Sequence, residues 1–518
     1  MGAEAPSAFI AALSEEAFAQ RIRRFFQTLG ALRDVALLLE GMPRWPYAVA
    51  ARDDVNRWTL IGLGARQRVQ IQGQTLSIRD AASNSFEEAL SCAPEACDRL
   101  FQRLREVGAS CRQFSDVNAD LPFSGGLMGW IGYEFGQYCD PALADALNRP
   151  QKPTPPARDW PDLWLVECED WLVIDRRARA LTILSERASA IQAYRSQWRA
   201  AMAAEVVEEP PPQTFCEADA AFRDSFEASL SPAQFQAGVA RLQRAIAEGD
   251  IYQANLSIRF SRTLSLDPRL LYETLCQRNP SPFSGWAQWP GHWLLSNSPE
   301  RLASVAAAGA AHMRPIAGTR GRGASAQEDA AIAEQLRADP KERAEHLMLV
   351  DLARNDLGRA CRAGSVSVNE LLTIERYSHV THLVSAVSGQ IKPGADAWDV
   401  LRATFPGGTI TGCPKIRCVE LLADVEPVAR GPYTGGLGYW DAASGRMDLN
   451  ILIRTVTLRS EGDGLRYNAA FSVGAGIVAD SVAEREYREC MRKAAALWGA
   501  LFTCQRPTST PPQEAPPR

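Results

Sequence analysis

Met447-Asp-Leu-Asn-Ile-Leu-Ile-Arg-Thr-Val-Thr-Leu458 is the stretch on which the fold class turns. It is rich in Leu, Ile, Val and Thr and holds no Gly or Pro, so it predicts a long strand. A return strand is expected through Tyr467 to Ile477. Outward from this pair, Tyr433–Trp440, Ser365–Ile374 and the second half of Gly249–Phe260 also read as strands. Trp171–Asp175 and Ala180–Ser185 read as a hairpin around a charged turn. Helices are expected at Glu186–Ala204 and Ser231–Glu248. Long strands with a few long helices, and no regular βαβ alternation, predict an α+β fold.

The chain has 518 residues, of which 46% are hydrophobic, enough for a large core and more than one domain. Its formal net charge is −5 and no basic tract dominates, so a nucleic-acid partner is not expected. No stretch approaches 18 uninterrupted apolar residues, and the N-terminus lacks a basic segment followed by an apolar run. Neither a membrane span nor a signal peptide is expected. The 12 cysteines are scattered without C-x₂-C spacing. They read as free thiols in a cytoplasmic protein, without a zinc site. Asn148–Pro156 reads as a Pro-rich surface loop and Glu208–Gln213 as a linker, while Arg506–Arg518 has a disordered composition.

Two pairs of glutamates stand out. Glu342 and Glu345 lie in Asp339-Pro-Lys-Glu-Arg-Ala-Glu-His346, and Glu486 and Glu489 in Glu484-Arg-Glu-Tyr-Arg-Glu-Cys490. The i, i+3 spacing puts each pair on one helix face. Asp339 reads as an N-cap ahead of Pro340, and Ser481 with Glu484 as a second capping box. If the helices face each other, four hard oxygen ligands converge into a Mg²⁺ site that retains waters or a substrate carboxylate. Taken alone, an acidic pair reads first as a solvated helix face, because charged residues are mostly exposed.

Phe405–Arg417 places small residues ahead of a helix N-terminus near Gly412, a setting that suits a carboxylate, although a plain structural turn explains the glycines just as well. Arg314–Arg320 and Val473–Ile477 hold glycines that let backbone amides approach a ligand. Arg454 interrupts an apolar strand and would need an anionic partner if buried; on an alternating strand it would lie at the surface. Lys493 lies one turn beyond Glu489 and can pair with it.

Together these segments resemble the chorismate-utilising enzymes. That family includes the large subunits of anthranilate synthase and aminodeoxychorismate synthase, and the isochorismate and salicylate synthases. The resemblance runs in order through Gly249–Phe260, Ser298–Arg301, Pro315–Thr319, Asp339–Arg359, Glu375–Val387, Phe405–Glu420, Tyr433–Thr455 and Val473–Lys493. A looser match covers Leu38–Glu40 and Phe123–Glu134. It implies an anthranilate synthase component I-like fold, with large mixed or antiparallel sheets packed as a sandwich and flanking helices. With the Pro-rich linker and the tail read from composition, the chain is expected to hold an N-terminal anthranilate synthase component I-like domain over 1–210, a linker over 211–234, a chorismate-binding catalytic domain over 235–505 and a tail over 506–518.

Carried over residue by residue, the resemblance makes Glu345 and Glu489 Mg²⁺ ligands, with Glu342 and Glu486 holding the metal's waters. The metal would clamp one chorismate carboxylate; Arg454, Tyr433 and the amides around Gly474 and Gly476 would hold the other, and Lys493 would help neutralise this dianionic region. Glu300 stands where the family has the general acid that assists loss of the C4 hydroxyl. His382 and Thr409 would line the ring, and Gly318 and Thr319 would shape the same pocket. Gln253 replaces the lysine that activates water in isochorismate and salicylate synthases, which favours ammonia as nucleophile. Asn255, Arg301, Thr411–Lys415 and Asp448–Arg454 look like aminodeoxychorismate synthase, which aminates C4 on the route to p-aminobenzoate and folate. Ala317 stands where many of those enzymes carry a covalent lysine and where anthranilate synthases carry alanine. No Gly-x-Cys-x-Gly amidotransferase nucleophile occurs, so ammonia is expected from a separate glutamine amidotransferase subunit or as free ammonia. Relatives use a Leu-Leu-Glu-Ser stretch in a tryptophan pocket; Gly41 replaces that serine here.

Overall fold

The computed structural model describes residues 13, 15–29, 36–40, 57–80, 85–91, 93–114, 121–147, 160–204, 217–376, 380–462 and 465–505. The Asn148–Pro156 loop, the Glu208–Gln213 linker, the Arg506–Arg518 tail and Gly41 lie outside them.

The long strand Trp58–Gln72 is the hub of two β arms. Its first half pairs with Ala36–Glu40, which leads to Phe283–Trp289, His292–Ser298, Thr455–Ser460, Arg466–Ile477 and Gln253–Ser265. Along its length it pairs with Leu163–Asp175, which leads to Gly126–Ile131, Gly436–Asp441, Met447–Asn450, Arg301–Val305, Ala310–Met313 and Val380–Gln390. Each of these pairings is antiparallel. Leu60, Trp130, Trp164, Ala287, Leu294, Leu437 and Leu452 come from both arms and share one buried cluster. Their side chains alternate off the strands and interdigitate as a sandwich core. Ladders cross from the first half of the sequence to the second at Ala36–Glu40 with Phe283–Trp289, and at Gly126–Ile131 with Gly436–Asp441.

The stretch expected as one strand from Met447 to Leu458 is two. Met447–Asn450 belongs to one arm, Thr455–Ser460 to the other, and Ile451–Arg454 makes the crossing. Arg454 closes it with φ 51°, a left-handed backbone that non-glycine residues rarely adopt. An apolar run reads alike whether it continues one ladder or changes sheets. Likewise the strand expected from Tyr433 begins at Gly436, and Tyr433–Gly435 forms a tight turn with Thr434 at φ 63°.

The helix Pro340–Ala360 begins as its sequence predicts: the Asp339 carboxylate accepts from the Lys341 and Glu342 amides. It buries Val350, Ala353 and Leu357 in a cluster shared with Met313 and Val387. The helix Ala483–Cys504 packs Trp498 edge-on against Phe260 and Phe471. The capping box expected at Ser481 does not form. Val482 is the N-cap, and the Ser481 hydroxyl accepts from the Val478 amide at 3.1 Å instead. A competing local turn has taken the hydroxyl. No helix among the described residues is long and apolar enough to cross a membrane.

Candidate active site

Glu300 follows the His292–Ser298 strand at a sharp turn. The Ser298 hydroxyl accepts the Glu300 N–H at 3.2 Å, and the Glu300 carbonyl accepts from Ile451 of the crossing segment at 2.9 Å. The backbone is therefore fixed from both arms. The side chain is 7% exposed, and its carboxyl accepts from the Thr409 hydroxyl at 2.8 Å. Burial pushes its pKa up to about 7, against the opposing pull of Thr409, Arg454 and Lys493. A carboxylic acid held protonated near neutrality is equipped to give up a proton. Behind it lies a cavity of about 20 Å³, walled by Leu302, Met313, Leu349 and Leu352.

Two glycines on Arg466–Ile477 open the adjoining wall. A Cβ on Gly474 would lie 2.9 Å from the Tyr433 hydroxyl and 3.1 Å from Asn255 Nδ2, and one on Gly476 2.6 Å from Gln253 Nε2. Both glycines are needed for those polar groups to sit where they do. Lys493, from the Ala483–Cys504 helix, donates to the Gly474 carbonyl at 2.9 Å. Tyr433 is buried, and burial holds its phenol protonated well above the usual range. Among the described residues, Gln253 Oε1 is buried without a hydrogen-bond partner.

His382 pairs with Thr319 across the Val380–Gln390 ladder and is 4% exposed. Burial first, then the Arg454 charge, lowers its pKa to about 3, so the imidazole is neutral. It can line a ring or hydrogen-bond, but it does not act as a cation. Gly318 sits at φ +67°, where a Cβ would lie 2.9 Å from the Glu342 carboxylate. The segment expected to shape the pocket thus touches the acidic helix. Ala317 pairs with Leu383 on the same strand.

All four glutamates are half-buried, whereas Lys341, Arg343, Glu484, Arg485 and Arg488 around them are exposed. The paired faces therefore turn toward protein rather than solvent. Burial raises the Glu345 pKa; Lys341 opposes the rise, while Glu342 and Glu486 add to it. Carboxylates from both helices thus feel one another, as a hard-cation donor set does. As oriented here, Glu342 pairs with Arg320 at 2.9 Å, and Glu489 with Arg492 at 2.5 Å and Lys493 at 3.8 Å. Among the described residues no three such side chains converge closely enough to hold a metal. The donors suit Mg²⁺ in kind, and those pairs must part for the donors to close on it.

The structure thus unites Glu300, Thr409, Arg454, His382 and Lys493 in one region, and Tyr433, Gly474, Gly476 and Gln253 beside Lys493. Two features were not legible in the sequence. Arg430 is a buried hub that bonds Glu426, Thr434 and the carbonyls of Asn255 and Ile410. Glu134 accepts from the Arg430 and Gly431 amides at 2.9 Å, and burial pushes its pKa up to about 7. In the sequence Glu134 shows only as the last residue of the Phe123–Glu134 match, and Arg430 only as a charge ahead of Tyr433. Arg301 and Asp448 form a two-pronged pair at 2.9 and 2.8 Å. That pair borders a cavity of about 350 Å³ which Leu39 also lines.

The family model of chorismate binding enzymes matches residues 57–499. Aminodeoxychorismate synthase component 1 of Bacillus subtilis (strain 168) is 38% identical over 403 residues, covering 76% of this chain and 81% of that protein. Anthranilate synthase component 1 of Bacillus caldotenax is 34% identical, covering 98% of each. The crystal structure of anthranilate synthase component I from Streptococcus pneumoniae TIGR4 superposes with a TM-score of 0.68 at 28% identity, covering 88% of this chain and 95% of that one. With a match of that extent over the strands and helices that carry Glu300, Thr409 and the paired glutamates, the chain belongs to the chorismate-binding enzymes.

Proposed function

We propose that the chain is the chorismate-aminating component of an aminodeoxychorismate synthase, replacing the C4 hydroxyl of chorismate by an amino group. The observation that carries this reading is the buried Glu300–Thr409 pair, whose carboxyl pKa is pushed up to about 7. Hydroxide leaves poorly without a proton, and Glu300 is the group that can supply one. Thr409 donates to one carboxyl oxygen, which leaves the other to hold the proton facing the substrate. Arg454 and Lys493 supply positive charge for a dianionic ring, and Tyr433 with the Gly474–Gly476 backbone takes a ring carboxylate.

Glu345 and Glu489, with Glu342 and Glu486 outside them, are the residues that would hold Mg²⁺. When bound, the ion neutralises a substrate carboxylate. Ammonia is the nucleophile that suits Gln253, whose amide cannot serve as a base for water. A separate glutamine amidotransferase subunit in the cytoplasm is its proposed source.

Amination at C4 rather than C2 rests on Asn255, Cys413, Arg301 and Asp448. The last two form one interaction and so count once. The first relative named above points the same way. The second reading, anthranilate synthase component I acting at C2 with loss of pyruvate, is favoured by Ala317. Incubation with chorismate, Mg²⁺ and ammonium, with and without aminodeoxychorismate lyase, separates them by chromatography with mass detection. p-Aminobenzoate that depends on the lyase is expected; anthranilate and pyruvate formed without it would overturn the C4 reading.

A further inference from the structure

Arg430 is 6% exposed and uses all five of its guanidinium N–H groups. Nε and one Nη2 hydrogen hold both oxygens of Glu426, at 2.9 and 2.8 Å. The other Nη2 hydrogen reaches the Asn255 carbonyl at 2.6 Å. Nη1 donates to the Ile410 carbonyl at 2.9 Å and to Thr434 Oγ1 at 3.3 Å. Its plane lies 4.6 Å from the Tyr133 ring centroid and 5.8 Å from that of Tyr433. Glu426 needs no second cation, because the Ser257 amide and hydroxyl complete its shell at 2.9 and 2.8 Å.

A charge pair alone would need only Glu426. The three remaining bonds go to separate segments, two of which end in the candidate site. Ile410 follows Thr409, the donor to Glu300, in a short 3₁₀ turn at Gly408–Ile410. The Ile410 carbonyl also accepts from Asn255 Nδ2 at 3.2 Å, so two donors set that peptide. We infer that Arg430 is a positioning residue for the Thr409–Glu300 pair, acting through the Ile410 carbonyl. It touches neither substrate nor reacting atoms.

The inference rests on the chorismate reading only for its kinetic arm. Arg430→Lys keeps a charge for Glu426 but cannot reach all the acceptors at once. It is expected to lower kcat for chorismate consumption roughly ten- to a hundredfold, as a small misplacement of a catalytic group does. Thr409→Val is expected to fall in the same range, and the double variant to be no slower than the slower single. Losses that multiply, or an unchanged kcat in Arg430→Lys, would overturn the inference. The second arm needs no turnover. The infrared carboxyl stretch of Glu300, assigned by its loss in Glu300→Gln, should shift in Arg430→Lys as it does in Thr409→Val. A wild-type band in Arg430→Lys would overturn the inference even if chorismate were not the substrate. Should Arg430→Lys not fold, Arg430→Gln with Glu426→Gln removes both charges together and carries the same two measurements.

Discussion

The Thr409 hydroxyl donates to the Glu300 carboxyl at 2.8 Å across 109 residues of sequence, inside a site that burial keeps dry. If Glu300 delivers the proton, Glu300→Gln keeps the shape and loses the acid. Its kcat is expected to fall about 10²–10⁴-fold with chorismate binding little changed. Steady-state kinetics beside equilibrium binding measure both. Equal losses in the two would mark Glu300 as a binding residue.

The same burial sets a pH signature. The Glu300 pKa rises from an ordinary 4.5 to about 7, so its acid form is lost as pH climbs through about 7. Between those values the folded chain binds more protons than the unfolded chain, so this group's contribution to stability falls as pH rises through that window. Glu300→Gln lacks the effect. Its stability relative to wild type should therefore increase from about pH 5 to about pH 8 in denaturant titrations. A difference that stays flat would refute the buried-acid assignment.

Glu345→Ala and Glu489→Ala are expected to abolish turnover while melting within a few degrees of wild type. Calorimetric titration with Mg²⁺ should show binding to wild type and none to either variant. Full activity of both at ordinary Mg²⁺ would sink the metal assignment. Because Glu342 and Glu489 pair with Arg320 and Arg492, Arg320→Ala should tighten Mg²⁺ binding.

Gly476→Ala tests the ammonia side. The new Cβ meets only the Gln253 side chain closely, at 2.6 Å from Nε2, and a flexible amide can swing away. Stability should change little, while the ammonia concentration needed for half-maximal rate rises several-fold. An unchanged ammonia dependence would remove Gln253 from the nucleophile's path.

The helix faces bearing the glutamate pairs and the Asp339 cap follow from bonds that span a few residues, and their spacing is visible in one dimension. The Ser481 cap was equally plausible by spacing, yet the local turn back to Val478, three residues earlier, claimed its hydroxyl. Gly474 and Gly476 announced a close approach without saying to what; the answer, Tyr433 and Gln253, comes from other segments. Arg430 was invisible as a hub because the Asn255 and Ile410 carbonyls it holds lie 175 and 20 residues away.

By itself the sequence determined the α+β class, the paired carboxylates, the glycine openings and the residue types of an acid and its cationic neighbours. The first three follow from periodicity, capping and side-chain chemistry; the acid at Glu300 and its cationic neighbours came from the resemblance to the chorismate-utilising enzymes. Only the tertiary structure decided that Ile451–Arg454 crosses between the two arms, that Arg301 meets Asp448, and that Glu300 sits dry beside Thr409. The reason is physical. Local hydrogen bonds are encoded over a turn or a strand pair, whereas a raised pKa depends on which distant segments exclude water from the group.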